Sequence, residues 1–291
     1  MKTLRDIDRE IGAHIEELRN SYWDEQVQAS KQAAVLLVEG DDDRAIVEEV
    51  FLARRRVWER SVRVIAAGGR EAVIRARARF SDRDPRMLHM FVDRDTWTEH
   101  EIQNLSRELG ASTLHVTAGW CLENIFFAPD FLRMLHSEIA QNVAAAREVW
   151  VRAGARWWTL QRWREASQQV WNAAFGDGAY GGLHPGVDPK SGGEFADILS
   201  HRISPDTLAR FAFDIDALAA EFDARLRTVE SWSEHDQWQI GVHGKRAFVE
   251  LLCPLLEKYY GRRIDWRLEL VGRLPRPFPV PLDGLVAMFL P

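Results

Sequence analysis

The sequence predicts an α/β protein, a largely parallel sheet flanked by helices, with a mostly helical insertion. Three observations predict it. Four short apolar runs, at 35–38, 62–66, 87–92 and 112–117, alternate with stretches of helical spacing. The first run, Val35-Leu36-Leu37-Val38, is apolar at every position, as a strand buried on both faces requires. Glu39-Gly40, Gly68-Gly69 and Asp93-Arg94-Asp95 close the first three runs, where the chain has to turn.

Taken in order, the elements are these. Ile7, Ile11, Ile15 and Leu18 recur at helical spacing, which places an amphipathic helix in residues 1–30. After Glu39-Gly40, Asp41, Asp42 and Asp43 stand where a helix begins, and Ile46, Val47, Val50, Phe51 and Ala53 give that helix an apolar side. VRVIA (62–66) is a second strand, and Arg70 to Phe80 is a helix with Ala72, Val73, Ala76 and Phe80 inward. MLHMFV (87–92) is the third strand, Glu99 to Leu109 a helix, and STLHVT (112–117) the fourth strand. Beyond about 131 no strand alternation survives. Val143 to Phe175, rich in Ala, Arg and Trp, reads as helix, as do Pro205 to Trp232 and Phe248 to Tyr260. Gly176 to Gly193 holds seven glycines and two prolines and is a loop. Leu268 to Val271 is expected to be a last short strand, and Pro275, Pro277, Pro279 and Pro281 predict an extended tail. The expected organisation is therefore an N-terminal helix (1–30), a core (31–135), a helical insertion (136–240) and a segment completing the core (241–291).

Bulk properties narrow the class. The chain has 291 residues, 46% of them hydrophobic and 28% charged, which suits a soluble protein with one large domain or two smaller ones. A net charge of -6 argues against a general nucleic-acid coat, though not against a local basic track. Cys121 and Cys253 are the only cysteines and form neither a zinc spacing nor a disulfide framework, so a reducing cytoplasm is expected. Met1 to Asn20 is heavily charged, unlike a signal peptide, and no apolar run approaches the roughly 20 residues of a membrane span.

Three strand ends deliver acids to one rim. Glu39 comes from the first, Asp93 and Asp95 from the third, and Glu123 lies just beyond the fourth. Alternation along an extended segment would turn Asp93 and Asp95 to the same side. Clustered carboxylates repel one another unless they bind a cation or hold protons. A hard ion such as Mg²⁺ takes oxygen ligands, and two ions about 3.5–4 Å apart stabilise both the attacking and leaving oxygens of a phosphodiester displacement. Taken singly, each acid also fits a structural role, since acidic residues at helix starts are ordinary caps and dipole partners.

The order V-E-G-x-x-D (Val38 to Asp43), then an apolar strand and D-x-D (Asp93 to Asp95), resembles the TOPRIM domain. Cys121-Leu122-Glu123-Asn124-Ile125-Phe126-Phe127 resembles the acidic E-N stretch of its OLD-like nuclease branch, and Gly244-Lys245 resembles that branch's glycine-lysine step. The resemblance covers about residues 33–130 and 240–260. It implies a Rossmann-like core in which Glu39, Asp43, Asp93, Asp95 and Glu123 are metal ligands or acid/base groups for Mg²⁺ or Mn²⁺, two ions in all. It further implies that Lys245 stabilises charge on the phosphate in flight. Asp41 and Asp42 replace the lysine and small polar residue usual inside the first motif, and Asp42 is then a possible substitute for Asp43. No P-loop is present, whereas OLD-like enzymes carry an ATPase in the same chain. The arrangement is similar to the stand-alone, AriB-type TOPRIM effectors of PARIS-type anti-phage defence. That similarity implies a toxic endonuclease for RNA such as tRNA, or for DNA. It also implies a separate ABC-type ATPase partner, and a homodimer is the expected active form.

Two rivals remain open. The apolar strand followed by Asp93-Arg94-Asp95 also resembles the first motif of haloacid-dehalogenase-like phosphatases, where the first Asp is the nucleophile. A non-catalytic TOPRIM subunit that regulates an ATPase partner is the other. Eleven arginines between Arg54 and Arg86 suit a phosphate-tracking face, an acidic partner, or solvated helix faces with local ion pairs. The tryptophans Trp150, Trp157, Trp158, Trp163 and Trp171 suit a helical core or interface better than a base-stacking platform.

Overall fold

A computed structural model of the chain describes residues 9–13, 34–56, 58–79, 88–109, 113–166, 189–210, 214–279 and 282–290. The chain divides into two units, Met1–Ala118 with Arg262–Pro291, and Gly119–Gly261.

In the first unit β1 (Ala34–Val38), β2 (Val62–Ala66), β3 (Leu88–Val92) and β4 (Leu114–Val116) form one sheet in the order β2-β1-β3-β4. Every pairing is parallel. Helix α1 (Asp41–Arg54) follows β1, α2 (Arg70–Arg79) follows β2, and α3 (Glu99–Leu109) follows β3. Leu37 lies opposite both Ile65 and Met90, so these three share a face. With Val35, Val92 and Leu114 they pack against Ala72, Val73 and Ala76 of α2, and Leu105 and Leu109 of α3 close the same layer. Alternation puts His89 on the other face. Its ring lies 4.9 Å from Phe289, which in turn is 6.0 Å from Phe51 of α1. Helices therefore cover both faces, and β1 and β3 are buried at every position. Each fully buried Leu, Ile or Phe there contributes about 1.5–3 kcal/mol.

This strand order carries a consequence for ligands. The chain leaves β1 toward β2 on one side and returns to β3 on the other. The carboxyl ends of β1 and β3 thus flank a topological switch point, where open α/β sheets bind their ligands.

The C-terminal segment differs from expectation. Leu268 to Val271 is not a strand but the end of helix α11 (Trp266–Val271), whose start is capped by the Asp265 side chain accepting the Arg267 N–H. Nor is the tail extended to its end. Helix α12 (Leu282–Phe289) begins just past Pro281, because Leu282, Leu285, Val286 and Phe289 recur at helical spacing and bury together. Of the expected N-terminal helix, residues 9–13 are helical, with Ile11 in the core beside α2. The remainder of 1–30 lies outside the described residues, as does 176–188 of the expected loop.

The second unit, Gly119–Gly261, is helical among its described residues: a 3-10 turn (Leu122–Phe127), then α4 (Pro129–Leu135), α5 (Ser137–Ala166), α6 (Gly192–Arg202), α7 (Pro205–Arg210) and α8 (Ile215–Glu230). Two π-helical turns, Gln237–Gly241 and Phe248–Leu252, bracket α9 (Gly244–Ala247), and α10 (Cys253–Tyr260) ends at Gly261 in the left-handed region. Phe195 of α6 and Phe222 of α8 meet at 5.0 Å within this unit's core. Gly154 of α5 has to be a glycine, since a Cβ there would overlap the Gly241 carbonyl.

The boundaries fall elsewhere than at 135 and 240. Asn124 donates from Nδ2 to the Trp238 carbonyl at 2.6 Å and the Val242 carbonyl at 2.9 Å, and Trp120 N–H donates to the Gln239 carbonyl. These bonds tie 119–128 to 237–242, which is why the first unit ends at Ala118 and resumes at Arg262. No helix among the described residues is long and apolar enough to cross a membrane.

Candidate functional site

The rim of the first unit is stitched at the ends of its strands. Glu39, immediately after β1, accepts the Asp93 N–H through Oε1 at 2.8 Å. Its own carbonyl accepts the N–H groups of Gly68 and Gly69, each at 2.8 Å. Both glycines have positive φ, 91° and 128°, a conformation that lets two successive amides turn toward one oxygen. Arg94 N–H donates to Thr117 Oγ1 at 2.9 Å, and Thr117 N–H donates to the Val92 carbonyl. Four strand ends are thereby linked, with Glu39 beside Asp93 at the switch point. Asp93 is buried.

Asp95 does not follow the alternation that would place it beside Asp93. Its φ of 48° turns the backbone into the left-handed region, one that aspartate tolerates better than most residues. Its carboxylate meets the Arg70 guanidinium at 3.1 Å, and that guanidinium lies 4.4 Å above the Trp97 ring. Arg94, between the two aspartates, points its guanidinium at Glu99, 2.7 Å away.

Asp43 is buried in the first turn of α1 and accepts the Gly40 N–H at 3.0 Å, so one carboxylate oxygen fastens the turn after β1. Asp42 is 63% exposed and pairs with Arg267 of α11 at 3.5 Å, while Asp41 pairs with Arg44. Of the arginines between 54 and 86, Arg63 pairs with Glu10, Arg70 with Asp95 and Arg75 with Glu71, while Arg77 is buried. Arg83 and Arg86 lie outside the described residues.

Glu123 and Lys245 belong to the second unit, and the local structure around them is tightly specified. Glu123 and Asn124 are fully buried in the 3-10 turn. Asn124 Oδ1 accepts the Cys121 N–H at 2.8 Å and its thiol at 3.2 Å, while Cys121 Sγ accepts the Lys245 N–H at 3.1 Å. A Cβ on Gly244 would overlap Asn124 Oδ1 and stand 2.8 Å from Cys121 Sγ. The glycine-lysine step is thus seated directly on the Cys121–Asn124 turn. Both neighbouring π turns are of a kind found often at functional sites. His243, just before the step, has the Trp120 ring tilted beside it at 5.4 Å and the Trp157 ring edge-on at 5.0 Å, and its Nδ1 has no hydrogen-bond partner among the described residues. Burial between the indoles, and then the Lys245 charge, push its pKa down to about 3.

The structure brings Glu39 to Asp93, Asp95 to Arg70, and Glu123 and Asn124 to the turn that seats Lys245. Among the described residues no group of three or more His, Cys, Asp or Glu side chains converges to hold a metal ion. Sequence reasoning missed Arg70 as the partner of Asp95 and Asn124 as the knot of the second unit. Arg70 stands directly after Gly68-Gly69, a local signal; the carbonyls that Asn124 binds are more than a hundred residues away and leave none.

No family model matches the chain, and neither a curated protein nor a solved structure matches it. The α/β fold with its helical insertion rests on the architecture itself.

Proposed function

We propose that this chain is a metal-dependent phosphodiesterase of the endonuclease type, acting on RNA such as tRNA, or on DNA. The observation that carries the reading is the contact of Glu39 with Asp93 at the β1/β3 switch point. The donors suit the ion: Mg²⁺ and Mn²⁺ take hard oxygen ligands, and Mg²⁺ is commonly held by one or two carboxylates with water and substrate phosphate completing the shell. Glu39 and Asp93 supply that number without a third protein ligand. When bound, one such ion, or two, would polarise the phosphate and lower the pKa of an attacking water.

The chain's own groups prepare the rim. Glu39 is oriented by the Asp93 amide, and Asp43 is fixed one turn into α1. Asp95 is held off by Arg70, whose guanidinium is also a fork suited to a phosphate oxygen. Glu123, as a further ligand or acid/base group, and Lys245, as a stabiliser of phosphate charge, are tested by their own substitutions. A toxic role in anti-phage defence, an ABC-type ATPase as regulator and a homodimeric active form complete the proposal.

The test is cleavage of tRNA, other RNA and DNA by the purified chain in Mg²⁺ or Mn²⁺, against EDTA. Divalent-dependent cleavage, reduced at least a hundredfold by Glu39→Gln, is the expected result. Hydrolysis of a small phosphomonoester with no cut polynucleotide would replace this reading with the phosphatase one, and no activity on any substrate would overturn both.

A further inference from the structure

We infer that the rim holds a single divalent ion and that the Arg70 guanidinium takes the place of a second one. This rests on the proposed function, and it reduces to one the two ions that the sequence led to. In a two-ion displacement the ions stand about 3.5–4 Å apart, and each needs carboxylate oxygens, its own or shared. Glu39 and Asp93, in contact at the switch point, serve one ion. Asp95 is the acid left for the other, and a cation of the chain already holds it: its carboxylate lies 3.1 Å from the Arg70 guanidinium. Among the described residues no three His, Cys, Asp or Glu side chains form a metal-binding group.

Arg70 is built into that place. It opens α2 directly after Gly68 and Gly69, whose N–H groups both donate to the Glu39 carbonyl, so its backbone is tied to the end of β1. Its side chain ends on Asp95, beyond β3. Since β1 pairs with β3, the residue spans the switch point from one strand end to the other. The guanidinium also lies 4.4 Å over the Trp97 ring, and the Arg70 and Asp95 side chains are only 16% and 23% exposed. Stacking and partial burial hold the cation in one orientation and limit its screening by water. A second metal ion at Asp95 would have to displace that guanidinium or stand against it, and the like charges repel.

Part of the chemistry of a second ion is within an arginine's reach. That ion stabilises charge on the phosphate and the leaving oxygen, and a guanidinium does the same with its forked N–H donors. Lowering the pKa of the attacking water belongs to a metal, so one ion stays necessary.

Titration of the full chain with Mn²⁺, the free ion counted by electron paramagnetic resonance, tests this. A Glu39→Gln/Asp93→Asn chain gives the background count of surface sites, and the excess over it is the rim's. One rim ion is expected in the parent and in Arg70→Lys, which keeps the charge. Arg70→Ala should bind two, because Asp95 is released, and Arg70→Ala/Asp95→Asn should return to one. Arg70→Lys, with one ion but no fork, should cleave at least tenfold more slowly than the parent. Circular dichroism verifies each fold, and the parent and lysine variant carry the test if Arg70→Ala does not fold. Two rim ions in the parent, one in Arg70→Ala, or a second ion kept in the double variant would each overturn the inference and leave the nuclease reading in place. No rim ion in any chain would overturn both.

Discussion

Glu39 Oε1 accepts the backbone N–H of Asp93 at 2.8 Å, so one carboxylate both ties β1 to β3 and stands at the edge where a ligand would sit. The two duties separate by substitution. Glu39→Gln keeps an oxygen acceptor for the amide, and Glu39→Ala leaves that N–H without one, a loss of about 1–2 kcal/mol. Urea unfolding should therefore show Glu39→Gln within about 0.5 kcal/mol of the parent and Glu39→Ala clearly lower. On the proposed function both lose divalent-dependent cleavage. A Gln variant that unfolds as readily as the Ala variant would show that charge, rather than the hydrogen bond, holds the strand ends together.

Asp95 is the next test, because its left-handed backbone and its pairing with Arg70 are separable. Asp95→Ala and Asp95→Gly both lose the ion pair, but only alanine carries the steric cost of positive φ. The glycine variant should be the more stable by about 1 kcal/mol in urea. Equal stability of the two would mean the turn relaxes out of that conformation once the carboxylate is gone.

How much of this was legible in the sequence follows from range. Val35 to Val38 announced a buried strand because every side chain is apolar, and Gly40 with the aspartates after it marked the turn and helix start. Only the nearness of Glu39 to Asp93 was legible among the acidic strand ends, since β1 and β3 are short and their ends are sharp. The side chosen by Asp95 was not: period-two alternation holds only while the chain stays extended, and a single positive φ ends it. Leu268 to Val271 misled because four residues do not distinguish strand from helix, although Asp265 ahead of them was a capping signal. Proline spacing masked α12, whose apolar helical pattern begins only after the last proline. The limit of the first unit at Ala118 was out of reach, because it is set by Asn124 binding carbonyls 114 and 118 residues away.

Two histidines set an acid limit on stability. Burial, and then the neighbouring His89, lower the His115 pKa to about 4, and His243 is lowered to about 3. Both folded-state values lie below the ordinary 6.5, so the unfolded chain takes up protons first as pH falls. Their contribution is fully present above about pH 6.5 and is lost from there down toward pH 4 and 3. For His115 the loss across that window is on the order of 2–3 kcal/mol. Urea midpoints measured from pH 8 to pH 5 should fall with acid, and His115→Phe should flatten the profile. A profile unchanged by that substitution would place the acid sensitivity elsewhere.

Gly244 and Asn124 are coupled through one contact, and the coupling is measurable. A Cβ on Gly244 would overlap Asn124 Oδ1, so Gly244→Ala forces that side chain or the α9 start to move, at a cost of about 1–3 kcal/mol. Asn124→Ala by itself strands the carbonyls of Trp238 and Val242 and the amide of Cys121, a loss of similar or larger size. The double variant removes the overlap along with the amide, so its total loss should fall short of the sum by about 1 kcal/mol or more. Thermal or urea unfolding of the two single variants and the double gives that difference directly. Strict additivity would mean that Gly244 is required for the backbone path into α9, and that the position of Lys245 above Cys121 does not depend on the packing of Asn124.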